Sequence, residues 1–263
     1  MAKSDTLLKK AVKDFLESQD LRVSEIPRAV SQTPDLLVDE GSPDAVLIEI
    51  KQKTHDQGEL DAYFQQMDES GLALRKKLTG YWNVLDGIVK DAVGQLTEHD
   101  PSRTLLHALW FHCEGYDADL HEQQIHATIY GTQQLISPGE RPSDITCYYF
   151  RDSSFYRYAS SLDAVIVSKS GEIPIHIALN NHSPHFHAIR QSKLAQAFGA
   201  AVFFPQQYED GQKVMVCDHA HDRRSEAPTL DYLRAKYGIT RLDTINGGML
   251  HEAVDRVSPS LPS

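Results

Sequence analysis

The sequence predicts an α/β fold with a central mixed sheet flanked by helices, ordered α-β-β-β-α-β, followed by a C-terminal α/β elaboration. Three observations carry this. Leu7, Leu8, Ala11, Val12, Phe15 and Leu16 recur at helical spacing. Residues 35–51 hold two apolar runs around "DEGSPD", a turn composition, and so read as a hairpin. A long helical stretch then leads into the apolar run "LLHALWFHC", which is the crossover a parallel strand pair requires.

The elements follow in order. Ser4 or Asp5 caps a helix over residues 5–19. Residues 21–26 are extended and stopped by Pro27. Residues 35–38 and 45–51 form the hairpin strands, with a turn at 39–44. Residues 57–97 read as helical, broken into pieces by Gly71 and Gly80. A buried strand at 103–113, a helix at 117–135 and a strand at 144–150 complete the first part. Beyond it, "SLDAVIVSKSGEIPIHIALN" is a second hairpin turning at Ser170-Gly171. "HAIRQSKLAQAFG" is a helix ended by Gly199, and "AAVFF" a strand stopped by Pro205. "DHAHDRRSEAPT" reads as a loop, "LDYLRAKYG" as a short helix and "RVSPSLPS" as a frayed tail. The expected division is a domain at 1–150 and a region at 151–263 that binds nucleic acid or a partner.

The 263 residues carry a net charge of −11, all of it in the first part. Residues 1–150 hold 14 basic and 25 acidic side chains, and residues 151–263 hold 12 of each. This argues against broad, non-specific nucleic-acid binding. A chain of this charge that held a polyanion would need a divalent metal, its second part or another subunit. The three cysteines form no CxxC and cannot all pair, which suits a reducing cytosol. No signal-peptide core and no membrane-spanning apolar run is visible, so a cytoplasmic location without membrane contact is expected. Walker A, GxGxxG and GxSxG motifs are absent, which leaves nucleotide hydrolysis, Rossmann cofactor binding and serine-hydrolase chemistry without support.

The first hairpin carries the chemistry. Side chains alternate along a strand, so Leu47, Glu49 and Lys51 share one face and Val46, Ile48 and Ile50 the other. A turn that pairs Asp39 with Ala45 sets Asp35 opposite Glu49, about 5 Å apart at Cβ. Two carboxylates so placed repel unless a cation lies between them, and hard oxygen ligands suit Mg2+ or Mn2+. Asp44 has the opposite parity to Glu49 and lies about 16 Å from it along the strand. With Pro43 it reads as turn chemistry.

Pro34-Asp35, thirteen intervening residues and Glu49-Ile50-Lys51, behind one helix and ahead of a crossover helix, resemble the PD-(D/E)XK nuclease superfamily over roughly residues 4–150. The resemblance implies a restriction-endonuclease-like core and a Mg2+- or Mn2+-dependent nuclease. It implies that Asp35, Glu49 and the Ile50 main-chain carbonyl bind the metal, while Lys51 orients or deprotonates the attacking water. It also implies an acid from the first helix, for which Asp14 and Glu17 are the candidates. DNA is expected ahead of RNA, cut endonucleolytically in restriction or anti-phage defence, with a homo-oligomer or a partner protein. The Gln-x-x-x-Tyr of RecB-like members has no match, since this region offers Gln57, Tyr63, Gln65 and Gln66. The alternative is a non-catalytic acidic binding or regulatory protein on the same fold, with Asp35 and Lys51 as an ordinary cross-strand ion pair.

Three further groups are candidates. His182, His185 and His187, with Cys217, His219 and His221, offer alternating ligands of the kind zinc prefers, although their spacing matches no zinc motif. Arg151 and Arg157 are interleaved with aromatics, a pattern that can hold phosphate and stack bases, or simply fill a core. Arg75, Lys76 and Lys77 form the densest basic cluster of the acidic part, read as helical and as a phosphate contact or a solvated face.

Overall fold

The computed structural model describes residues 2–27, 33–138, 143–223, 225–245 and 250–256. Helix α1 (Ala2–Ser18) leads to strands β1 (Val23–Glu25), β2 (Leu36–Val38) and β3 (Val46–Thr54). Helix α2 (Gln57–Ser70), strand β4 (Leu72–Leu78) and helix α3 (Asn83–His99) cross over to β5 (Leu106–Glu114). There follow α4 (Ala118–Tyr130), β6 (Gln133–Ser137), β7 (Ser143–Tyr148) and α5 (Ser154–Arg157). The hairpin β8 (Ala164–Lys169) and β9 (Glu172–Leu179) precedes α6 (Phe186–Gln191), α7 (Lys193–Phe198) and β10 (Val202–Phe203). Strand β11 (Val214–Val216), helix α8 (Glu226–Tyr237) and strands β12 (Asp243–Thr244) and β13 (Leu250–Arg256) complete the described chain. The tail from Val257 onward lies outside the described residues.

A seven-stranded mixed sheet in the order β1-β2-β3-β5-β8-β9-β10 forms the centre. β1, β2 and β3 are an antiparallel meander, whereas β3, β5 and β8 run parallel. Both of its faces are covered, as the continuous apolar runs of β5 and β8 demand. Val46, Ile48, Ile50, Trp110 and Ile166 face α1, α6 and α7 through Leu8, Val12, Leu16, Ile189 and Leu194. Leu47, Leu109, Phe111, Val165 and Val167 face α3 and α4 through Leu85, Val89, Leu96, Ile125 and Ile129. A four-stranded sheet, β11-β7-β6-β12, extends this second core, and β13 pairs with β4 as a separate ribbon. Among the described residues no helix is long and apolar enough to cross a membrane.

The boundary expected at residue 150 runs through this sheet, because β8, β9 and β10 hydrogen-bond onto β5. The long helix expected over 57–97 is two helices with a strand between them. Gly71 ends α2 in the left-handed region (φ 68), its N–H closing on the Met67 carbonyl. "LALRKKL" then forms strand β4, although its three apolar residues followed by three basic ones carry no clean alternation. Arg75, Lys76 and Lys77 therefore lie on β4 and not on a helix. The helix expected over 117–135 stops at Gly131, also left-handed (φ 58), and "QQLIS" is strand β6.

One buried ion pair fastens the sheet. Asp163 has no exposure, and its carboxylate accepts from Arg103 Nη2 at 2.9 Å through both oxygens. The His107 N–H (2.7 Å) and the Ser183 hydroxyl (2.5 Å) complete its shell. Arg103 thereby ties the turn before β5 to the start of β8. Removing one partner of such a pair strands a buried charge. Arg103→Ala is expected to lower stability by about 3 kcal/mol, read from urea unfolding midpoints.

Candidate active site

The hairpin register is the one the alternation predicts. Leu36, Leu37 and Val38 lie opposite Ile48, Leu47 and Val46, a series that points toward Asp35 beside Glu49. The Asp35 N–H donates to the Ile48 carbonyl at 3.0 Å, one residue short of Glu49, so the regular ladder ends at Leu36 and Asp35 follows it irregularly. Asp44 takes its turn role. It accepts from Ser42 and, at 3.1 Å, from the Lys193 N–H at the start of α7.

The Asp35 carboxylate lies at the rim of the sheet. Its Oδ2 accepts the Ile50 main-chain N–H at 2.9 Å, a bond that lies in the plane of the strands. Both main-chain groups of a strand residue point to the same side, so the Ile50 carbonyl also faces the end of β2. From this rim Asp35 is reached from both faces. Lys9 of α1, on one face, forms an ion pair with Asp35 Oδ1. Glu49, on the other face, feels its charge.

Glu49 is buried, and its Oε1 meets Lys51 Nζ at 2.7 Å. Burial first, and then the like charge of Asp35, push the Glu49 carboxyl up to about 7, although Lys51 and Lys9 pull the other way. Lys51 Nζ also donates to Gln95 Oε1 of α3 at 3.5 Å. The centre thus holds two carboxylates and two ammonium groups within a mostly buried pocket. The side chains of Asp35 and Glu49 are 10% and 6% exposed.

Lys9 and Gln95 carry no motif signal. Gln95 is a buried polar residue inside the apolar stripe of Ala92, Val93 and Leu96, and that anomaly is readable in the sequence. Lys9 flanks the buried stripe of α1, where a lysine normally just reaches water. The first helix brings this lysine, and not an acid, to Asp35. Asp14 and Glu17 are exposed. Glu17 lies two turns past Lys9, about 12 Å along the helix, and pairs with Lys13 at 3.9 Å.

The donor set at the centre is Asp35, Glu49 and the Ile50 carbonyl. These are hard oxygen atoms on adjacent strands, which suits Mg2+ or Mn2+ in chemistry. Two protein carboxylates with waters are enough for Mg2+, which keeps much of its hydration. Among the described residues no three His, Cys, Asp or Glu side chains gather to hold a metal. The expected histidine and cysteine cluster is accordingly dispersed. His182 packs edge-on against Tyr149 and Tyr156 at 4.4 and 5.3 Å, and burial lowers its pKa to about 4. His185 sits at the start of α6 and His187 beside Phe186. Cys217 is buried, His219 stacks on Tyr232, and His221 bonds Thr229 at 2.8 Å. The alternation was correct for extended chain, but the run 182–187 turns into α6.

Of the basic candidates, Lys77, Arg151 and Arg157 are already engaged. Lys77 pairs with Glu59 at 2.6 Å and Asp117 at 3.1 Å. The side chains of Arg75 and Lys76 lie outside the described set. Arg151 bonds Gln133 and Glu226, both at 2.9 Å. Arg157 pairs with Asp86 and, at 2.7 Å, with Asp152. The neighbouring aromatics Tyr149, Phe150 and Phe155 are core residues.

Comparison with family models, with curated proteins and with solved structures found no match to this chain.

The raised Glu49 carboxyl gives a pH test. A folded pKa of about 7 against an ordinary 4.5 stabilises the fold below pH 4.5, and that contribution is lost as pH rises through 7. Glu49→Gln removes it. Relative to the natural chain, the variant is expected to gain up to about 3 kcal/mol between pH 5 and pH 8, in urea titrations at each pH. A pH-independent difference would refute the raised carboxyl.

Proposed function

We propose that this chain is a Mg2+- or Mn2+-dependent nuclease of the PD-(D/E)XK type, hydrolysing phosphodiester bonds in DNA ahead of RNA. The observation that carries the reading is the hairpin register. It ends β2 beside Glu49, so that the Asp35 charge acts on Glu49, two residues before Lys51, on a strand that runs parallel to β5 after a helical crossover. That combination supports a restriction-endonuclease-like core.

In this reading Asp35, Glu49 and the Ile50 carbonyl hold the metal. The metal supplies a lowered water pKa and neutralisation of charge on the phosphate. Lys51, held by Gln95 and Glu49, points its ammonium at the water and the phosphate. Lys9, which pairs with Asp35, would have to release that carboxylate for it to serve as a metal ligand. The net charge of −11 leaves the polyanion to be held by a second copy or a partner protein with a basic face. Endonucleolytic restriction or another defence against foreign DNA is the role that the fold analogy favours.

A specific observation favours a second reading, a non-catalytic binding or regulatory protein. Each carboxylate already has a lysine against it, so the centre is neutral without a metal.

Cleavage assays separate the two. With Mn2+ and duplex, single-stranded and RNA substrates, the nuclease reading expects cleavage that EDTA abolishes. Asp35→Ala and Lys51→Ala are expected to reduce it by at least about 100-fold. Lys9→Met removes the competing ammonium and is expected to lower the Mn2+ concentration needed for half-maximal cleavage. Intact substrates throughout, including with any natural partner present, would leave the binding protein as the reading.

A further inference from the structure

A second concavity lies on the same face of the large sheet as Glu49. Lys51, Phe111, Val167 and His176 form one cross-strand row over β3, β5, β8 and β9. Three strand spacings put His176 about 14 Å from Lys51, so this is a separate place. Its wall is Glu122 and His126 of α4 with His176 of β9. Two lobes open from that wall, each about 340 Å3, which is within the range of small-molecule sites.

The lobes differ in chemistry. One is apolar and aromatic, closed by Val202, Phe203 and Tyr208, with the last two rings stacked at 5.4 Å. The other is polar, lined by Gln134, Thr146 and the Tyr148 ring. His126 stands between them, wedged against Phe203 at 4.9 Å, Tyr130 at 5.0 Å and Tyr148 at 5.8 Å. Its ring nitrogens hydrogen-bond to no described residue. Burial keeps it neutral, with a pKa lowered to about 3, and holds His176 at about 4. A neutral imidazole presents one donor and one acceptor. Glu122, with its Oε1 3.8 Å from His176 Nδ1, adds a carboxylate acceptor.

Among the described residues that line the two lobes there is no lysine or arginine. Lys169 lies 3.6 Å from Glu122 but is shared with Asp119 at 2.7 Å. A phosphate here would face the Glu122 carboxylate. The complementary ligand is uncharged. It has a flat ring for the aromatic lobe, an amine for Glu122, a ring acceptor for His126 and hydroxyls for the polar lobe.

We propose that this cleft binds a free nucleoside with an aminated base, of adenosine or cytidine type. The base lies against the Phe203–Tyr208 wall, its exocyclic amine donates to Glu122, and its ring nitrogen accepts from His126. The ribose hydroxyls meet Gln134 and Thr146. This assignment does not rest on nuclease chemistry at Asp35 and Glu49.

Titration calorimetry on the whole chain with adenosine, cytidine, uridine and AMP tests it. Saturable one-to-one binding of adenosine or cytidine is expected. Uridine, with a carbonyl facing Glu122, and AMP, with its phosphate, are expected to bind at least about tenfold more weakly. Tyr208→Ala, at an exposed position that leaves the core intact, should weaken adenosine about fivefold without changing the melting temperature. Glu122→Gln should bring uridine closer to adenosine. No saturable heat with adenosine or cytidine at millimolar concentration would overturn the proposal. So would AMP binding as tightly as adenosine, or adenosine affinity unchanged in both variants.

Discussion

The chemistry at the candidate centre depends on one constraint, the antiparallel register between β2 and β3. Side chains on a strand have a period of two, so a slip of one residue would carry Glu49 and Lys51 to the α1 side and bury them among leucines. Leu36, Val38, Val46 and Ile48 prevent the slip, since all four are buried against α1 and its neighbours. The same parity carries outward, because β1 pairs Val23 with Val38 and the parallel strands pair Glu49 with Leu109. Packing on one face of the sheet thus fixes charge on the other.

The fixed charges bring an electrostatic problem. Two carboxylates at the end of one ladder cannot both ionise cheaply in a poorly solvated place. The protein answers with ammonium groups from opposite sides. Lys51 comes from the same strand face as Glu49, and Lys9 comes from α1 beyond the sheet. Asp35 can take both influences because its carboxylate occupies the strand plane, where it completes the hydrogen bond that β2 leaves open at Ile50.

Much of this was legible in the sequence, for local reasons. The two hairpins announce themselves by alternation and by turn residues, and parity alone separates Asp35 from Asp44. The crossover β4 was hidden because "LALRKKL" sits between two real helices and shares their leucines. Only the left-handed Gly71 marks the break. β6 was hidden behind Gly131 in the same way. The Lys9–Asp35 pair was not readable at all, because it joins a helix to the end of a strand and no spacing encodes it. The histidine runs misled in the other direction. Their pattern assumed extended chain, whereas His182 turns into a cage of tyrosine rings. Asp163, just ahead of the second hairpin, is a fastening for Arg103.

The β4–β13 ribbon has a consequence for biosynthesis. Leu72 pairs with Arg256 and Leu78 with Leu250, so one partner is made long after the other. On the ribosome β4 emerges early, between two helices, and presents bare N–H and C=O groups as an open edge. Helix α2 can pack on β4 meanwhile, but the edge stays unsealed until residues 250–256 have left the exit tunnel. During that interval a second nascent chain offers the same strand to the same edge. The growing chain is therefore most exposed to sticking to its own copies late in synthesis, just before its last described strand arrives.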